Sequence, residues 1–368
     1  MDRSNRTLFK KWWRTVDHPL LFAIGALILI GALMVTTASP AVAERLELDS
    51  FYFTRRQFLF LALGGAIIFS ISLLEPKNIR RLSSIGYVIC LFLLVLVLFV
   101  GDETKGSTRW LNFPFFAIQP SEFSKPFFVV VCAWMFSEKL RDATFPGFIL
   151  AGGIFASFAL MLFLQPNISV LLMVTVVWVG QFFLAGLSLL TLGIFALVGI
   201  AFIVLAYFLF SHVAARFDKF LHPDVNETYQ VSKSLEALSG GGFFGRGPGE
   251  GIVKKAIPDS HTDFIFSVLG EEMGLVVVIL VIGIYAFITI YGLMRLYSFK
   301  DPFKIIAGAG ILMSFGLQAF INMGVAVKLI PTTGMTLPFI SYGGSSIFAS
   351  SISIGIFLAL TRKRYDAK

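Results

Sequence analysis

Leu20–Ala38 reads LLFAIGALILIGALMVTTA, a run without a single charged side chain. A bilayer core needs about 20 apolar residues in helical form. Basic residues precede the run and Ala41-Val42-Ala43 follows it in the manner of a signal-peptidase site. The apolar core of a signal peptide is shorter, about 7–15 residues, so the stretch reads as an uncleaved first span. Nine more apolar runs follow it: Phe58–Leu74, Ile85–Val100, Ser121–Phe136, Phe148–Leu164, Ile168–Ala185, Leu189–Ser211, Phe264–Met294, Ile305–Val327 and Tyr342–Leu360. The expected fold is therefore an all-α integral membrane protein of about ten transmembrane helices, with a large external loop between helices 7 and 8.

Composition agrees with that reading. The chain has 368 residues, 57% hydrophobic and 14% charged, against about 25% charged in soluble domains. Its mean hydropathy is +0.83. The net charge of +8 does not point to nucleic acid, because the basic residues lie between apolar runs and at both ends. Cys90 and Cys132 fall inside apolar runs and read as packing residues rather than a disulfide.

Ten spans place both termini on one face. Its segments carry 17 Lys and Arg: Arg3, Arg6, Lys10, Lys11, Arg14, Lys77, Arg80, Arg81, Lys139, Arg141, Arg295, Lys300, Lys304, Arg362, Lys363, Arg364 and Lys368. The short loops of the other face carry six: Arg45, Arg55, Arg56, Lys105, Arg109 and Lys328. The positive-inside rule makes both termini cytoplasmic. The expected organisation is a cytoplasmic segment 1–19, a membrane domain 20–361 containing the external loop 212–263, and a cytoplasmic tail 362–368.

Loops longer than a connection needs are usually functional or disordered. The 212–263 loop contains Phe, Leu, Tyr and Val and is expected to fold. Its glycine run, Gly245-Arg246-Gly247-Pro248-Gly249-Glu250-Gly251, follows no strand and lacks the Gly-Lys-Ser/Thr ending of a phosphate loop. Turns and close backbone packing are the plainer reading, with Arg246, Lys254 and Lys255 near enough to meet an anionic headgroup. The loop ends in Pro258-Asp259-Ser260-His261-Thr262-Asp263, where a helix of about 46 Å begins. Glu271 and Glu272 in its first turns must lie at the outer interface or inside protein. From position alone, Thr262 or Asp263 reads as a helix N-cap. His261 and Asp263 supply two of the three ligands that a metal would need.

Glu122 and Lys125, three apart in Gln119-Pro120-Ser121-Glu122-Phe123-Ser124-Lys125, share a helix face in or beside a span. Charge there is costly and is usually paired or functional. Breaks are expected at Gln165-Pro166-Asn167 and across Pro331–Ser346, where backbone at membrane depth must be covered by protein or water.

Together GSTRWL (106–111), QPSEFSK (119–125), LQPN (164–167), HTDFIFSVLGEEMG (261–274) and PFISYGGSS (338–346) resemble the SEDS family of FtsW, RodA and SpoVE, in family order and over nearly the whole chain. Met335-Thr336-Leu337-Pro338 looks more like the division branch. The chain departs from the family's pattern at Pro258-Asp259-Ser260-His261, where Pro-Glu-Ala-His is frequent, and at Asn167, where Asp is common.

The resemblance implies a peptidoglycan glycosyltransferase that polymerises lipid II, a disaccharide-peptide on undecaprenyl pyrophosphate, into the nascent glycan strand of the septal wall. It implies that Asp263 is the essential aspartate. An acceptor sugar hydroxyl is a weak nucleophile, and one carboxylate acting as general base helps it. Pyrophosphate is a good leaving group that needs charge stabilisation, for which Arg109, Lys125 or a divalent cation (Mg or Mn) is a candidate. Substrate contacts are expected from Arg109, Gln119, Ser121, Glu122, Lys125, His261, Thr262, Ser341 and Ser345. Expected partners are a class B penicillin-binding protein transpeptidase, other division proteins of the membrane, and membrane lipid. The expected location is the bacterial cytoplasmic membrane at the division septum, with the site on the extracytoplasmic side. A lipid II flippase and a non-enzymatic division scaffold are the alternatives.

Overall fold

The computed structural model describes residues 3–104, 107–113, 117–209, 214–215, 218 and 229–363. Lys105 and Gly106, most of the first part of the long loop, and the tail beyond Lys363 lie outside the described residues. An amphipathic helix α1 (Arg3–Thr15) leads into α2 (His18–Arg45), α3 (Tyr52–Ser72), α4 (Pro76–Val100), α5 (Pro120–Arg141), α6 (Gly147–Leu164), α7 (Ile168–Leu184) and α8 (Leu189–Leu209). The long loop holds α9 (Tyr229–Gly240) and a 3-10 turn, Val253–Ala256, before α10 (Ile265–Leu296), α11 (Pro302–Ala326) and α12 (Gly344–Thr361).

Each of the ten apolar runs is thus a helix. Eight of them are long and apolar enough to cross a membrane among the described residues, and α7 is apolar but shorter. The remaining helix, α5, has Glu122 and Lys125 in its first turns. It sits at the centre of the bundle, packed against α4, α6, α7, α11 and α12, so its polar side chains meet protein instead of lipid. By contrast α8 packs on α7 and is only 6% buried. Leu197, Val198, Ile200 and Phe208 are exposed on it, a surface that only lipid or another apolar partner solvates. Asp17 caps α2 and Asp301 caps α11, each ahead of a proline in the first turn, where proline loses no helical hydrogen bond.

Between α4 and α5 the chain adds a feature the apolar pattern does not announce. Strands β1 (Asp102–Thr104), β2 (Ser107–Asn112) and β3 (Ala117–Ile118) form a small antiparallel sheet in the order β1-β2-β3.

The expected single helix over Phe264–Met294 needs correction. Gly274 has φ 76 inside α10, where two helical pieces meet at a kink. A break inside a helix orphans backbone groups, and the glycine loop supplies the partners. Arg246 N donates to Glu271 O (3.0 Å) and Gly247 N to Glu272 O (3.0 Å). Beyond the break, Leu275 N donates to Gly242 O (2.9 Å) and Val276 N to Phe243 O (3.2 Å). The approach is close enough to demand glycine. A Cβ on Gly241 would sit 1.9 Å from Gly270 O, and one on Gly274 2.3 Å from Gly245 N. Close packing at Gly245 and Gly251, and positive φ at Gly245, Gly247 and Gly249, account for the glycine run without phosphate binding.

Candidate active site

Pro258–Asp263 meets the broken segment between α11 and α12. Ser341 Oγ donates to Thr262 O (2.6 Å) and accepts from Leu337 N (2.8 Å). Tyr342 N donates to His261 O (2.9 Å). From α11, Asn322 Nδ2 reaches both Asp263 O (2.8 Å) and Met335 O (2.6 Å). Gln318, one turn earlier, donates to Thr336 O (3.1 Å). The main chain on both sides of the site is therefore tied to a single buried helix. Phe339, 1% exposed with φ 66, holds the left-handed region that costs a non-glycine residue energy. Gly31 of α2 lets it fit, because a Cβ there would stand 2.1 Å from Phe339 O.

Asp263 is half-buried. Its Oδ2 lies 3.7 Å from where a Cβ on Gly334 would be, and Gly334 is exposed with φ 71. The carboxylate thus lies close to the exposed backbone of Gly334 in the broken segment. The N-cap of α10 is Phe264, with no side-chain cap bond, and Asp263 immediately precedes it. His261 is buried, its ring 4.7 Å from that of Phe53 and 5.3 Å from that of Tyr342. Burial pushes the imidazole down to about 4, with Asp259 opposing and Arg45 adding to the shift.

That shift has a measurable consequence. A histidine depressed in the folded state is protonated more readily in the unfolded one, so its contribution is complete above about 6.5 and is lost as pH falls toward 4. The wild-type chain is expected to lose about 2–3 kcal/mol more than His261→Phe between pH 7 and 4.5, read as thermal midpoints in detergent. Parallel curves would show that His261 carries no proton-linked stability.

The other residues singled out in the sequence divide into groups. Ser345 Oγ accepts from Gln119 N (3.1 Å) and so joins α12 to the start of α5. Lys125 Nζ donates to Glu122 Oε1 (2.7 Å) and Gln318 Oε1 (2.7 Å). Lys125 is 4% exposed, so it is paired inside the bundle and anchors Gln318. Arg109 Nη2 donates to Pro166 O (2.7 Å) and braces the α6–α7 elbow. Ser121 is buried, and its Oγ has no hydrogen-bond partner among the described residues. Lys254 leaves the headgroup set, since it pairs with Glu272 and donates to Thr37 O and Gly249 O (both 2.9 Å). Cations beside the site come from elsewhere. Arg45 Nη2 donates to Ile257 O (3.0 Å) and Pro258 O (2.8 Å), and Arg56 Nη1 donates to Tyr52 Oη (2.8 Å). Among the described residues no group of three His, Cys, Asp or Glu is placed to hold a metal ion.

Sequence reasoning missed Gln318 and Asn322. Their signal was present: two amide side chains one turn apart within the apolar Ile305–Val327 run. A search for charged residues passes over them.

The chain is thus a helical membrane protein that holds a half-buried aspartate where a folded loop meets a broken helix pair. The chain belongs to the cell cycle protein family of FtsW, RodA and SpoVE, whose family model matches residues 18–366. It is 41% identical, over 99% of its length and 94% of the relative's, to the probable peptidoglycan glycosyltransferase FtsW of Caulobacter vibrioides. It is 34% identical to the stage V sporulation protein E of Bacillus subtilis, over 95% of this chain and 98% of that one. A structure described as a peptidoglycan synthase complex that coordinates polymerisation and crosslinking contains a similar chain. The TM-score is 0.78 at 26% identity, covering 95% of this chain and 99% of that one.

Proposed function

We propose that the chain is a peptidoglycan glycosyltransferase that polymerises lipid II for the division septum, with Asp263 as general base. The observation that carries the reading is the placing of the half-buried Asp263 carboxylate, just ahead of α10, beside the exposed Gly334 of the broken segment. The acceptor sugar hydroxyl gives its proton to Asp263 as its oxygen bonds to the anomeric carbon of the donor. The bond from that carbon to pyrophosphate breaks, and undecaprenyl pyrophosphate leaves with the electron pair. Arg45 and Arg56 are the nearby cations suited to the leaving charge.

A class B penicillin-binding transpeptidase is the proposed partner, supported by the synthase complex that this fold resembles. The proposed location is the cytoplasmic membrane, with both termini inside. An impermeant maleimide is expected to label Glu250→Cys in intact cells and Lys300→Cys only after permeabilisation. The reverse pattern would place the site in the cytoplasm. The enzyme reading is tested by supplying lipid II to the chain in sealed vesicles. Glycan strands support it, and transport of intact lipid II without strands would make the chain a flippase.

A further inference from the structure

Phe243 and Phe244 stand at the tip of the glycine loop, 70% and 85% exposed. Two adjacent bare phenylalanines signal an apolar surface that something covers. Their backbone is held in place. Gly242 and Gly245 take φ 57 and 79, Gly245 N donates to Gly241 O (2.8 Å), and the bonds to Glu271, Glu272, Leu275 and Val276 lock the loop into the break in α10. The rings are therefore presented by a rigid turn.

What lies beside them identifies the cover. Leu275, Val276, Ile279 and Leu280 are exposed on α10, and Val276 N is bonded to Phe243 O. The pair continues the lipid-facing surface of that helix at its loop end. From Leu275 to Leu296, α10 is about 33 Å long, close to the ~30 Å hydrocarbon thickness of a bilayer. The break at Gly274, and the rings with it, fall at the hydrocarbon edge. Arg246, exposed beside them, stands where a cation meets headgroups.

We propose that Phe243 and Phe244 are a membrane anchor, inserted among phospholipid acyl chains of the leaflet on the loop face. The anchor fixes the base of the folded loop at the bilayer surface. On the functional reading above, that is where a sugar carried on a lipid tail arrives, although insertion itself does not rest on that reading.

The test uses the full chain in phosphatidylcholine–phosphatidylglycerol nanodiscs. A nitroxide is placed on Phe244→Cys, and separately on Phe243→Cys should the first variant fold poorly. Ile279→Cys serves as the lipid reference and Lys255→Cys as the water reference. Cys90 and Cys132 are buried and add little label. Collision with oxygen and with a water-soluble nickel chelate is read from the electron paramagnetic resonance spectrum. The expected result is loss of nickel collisions with oxygen collisions retained, as at Ile279. Nickel access like that of Lys255 would overturn the anchor. Shielding from both reagents would also overturn it, since protein rather than lipid would then cover the rings. Neither readout depends on whether the chain makes glycan.

Discussion

Asp263→Asn is expected to fold normally and to lose glycan synthesis by about 10²–10⁴-fold, the usual contribution of acid–base catalysis. The substitution keeps size and shape and removes the negative charge, and with it the basicity. The contacts that hold this residue's main chain persist, because Asn322 bonds to the Asp263 carbonyl and Ser341 to that of Thr262. Even if the side chain shared in capping α10, asparagine caps about as well as aspartate, and the lost interaction of charge with the helix is only about 0.3–1 kcal/mol. Thermal midpoint and initial rate, measured on one preparation, separate the two roles. A midpoint shift with activity intact would mean that Asp263 is structural.

The second large effect concerns stability. Lys254→Met removes the cation that pairs with Glu272 Oε1; the Glu272 side chain is fully buried, and its Oε2 has no hydrogen-bond partner among the described residues. Breaking a buried pair on one side typically costs about 3–5 kcal/mol, because the remaining charge is left without compensation. Here the loss propagates. Glu271 accepts from Ile252 N and Val253 N (both 2.7 Å) and from Lys254 N (2.9 Å), so the same site fastens the 3-10 turn to α10. The single variant is expected to melt well below wild type. Lys254→Met combined with Glu272→Leu should recover most of the loss, since both charges are then gone. A double variant no more stable than the single one would show that Lys254 acts through Thr37 O and Gly249 O rather than through the pair.

The spans were legible because lipid imposes a simple rule on composition. The Leu20–Ala38 run lies inside α2, and each later run inside or nearly inside one helix except Phe264–Met294, which the kink at Gly274 divides. Breaks at Gln165-Pro166-Asn167 and at Pro331–Ser346 were legible for the converse reason, since proline and glycine at membrane depth cannot continue a ladder of backbone bonds. The kink at Gly274 was not legible. It lies in an almost uninterrupted apolar run, and the break exists only because a loop some thirty residues earlier supplies four hydrogen bonds to it. In the same way, Glu122 and Lys125 were visible as intramembrane charges, but their mutual pairing and their hold on Gln318 depend on how α5 and α11 pack. Asp263 stood out by its position at the end of the long loop. Its neighbour Gly334 was not legible, because it comes from a segment about seventy residues later in the chain.

The central claim is met most directly by the product. The purified chain, with a class B transpeptidase whose active-site serine is blocked, is incubated with labelled lipid II and the glycan is resolved by gel. The account predicts a ladder of strands from the wild-type chain and none from Asp263→Asn at equal thermal stability. Equal ladders from both, or none from either, would contradict it.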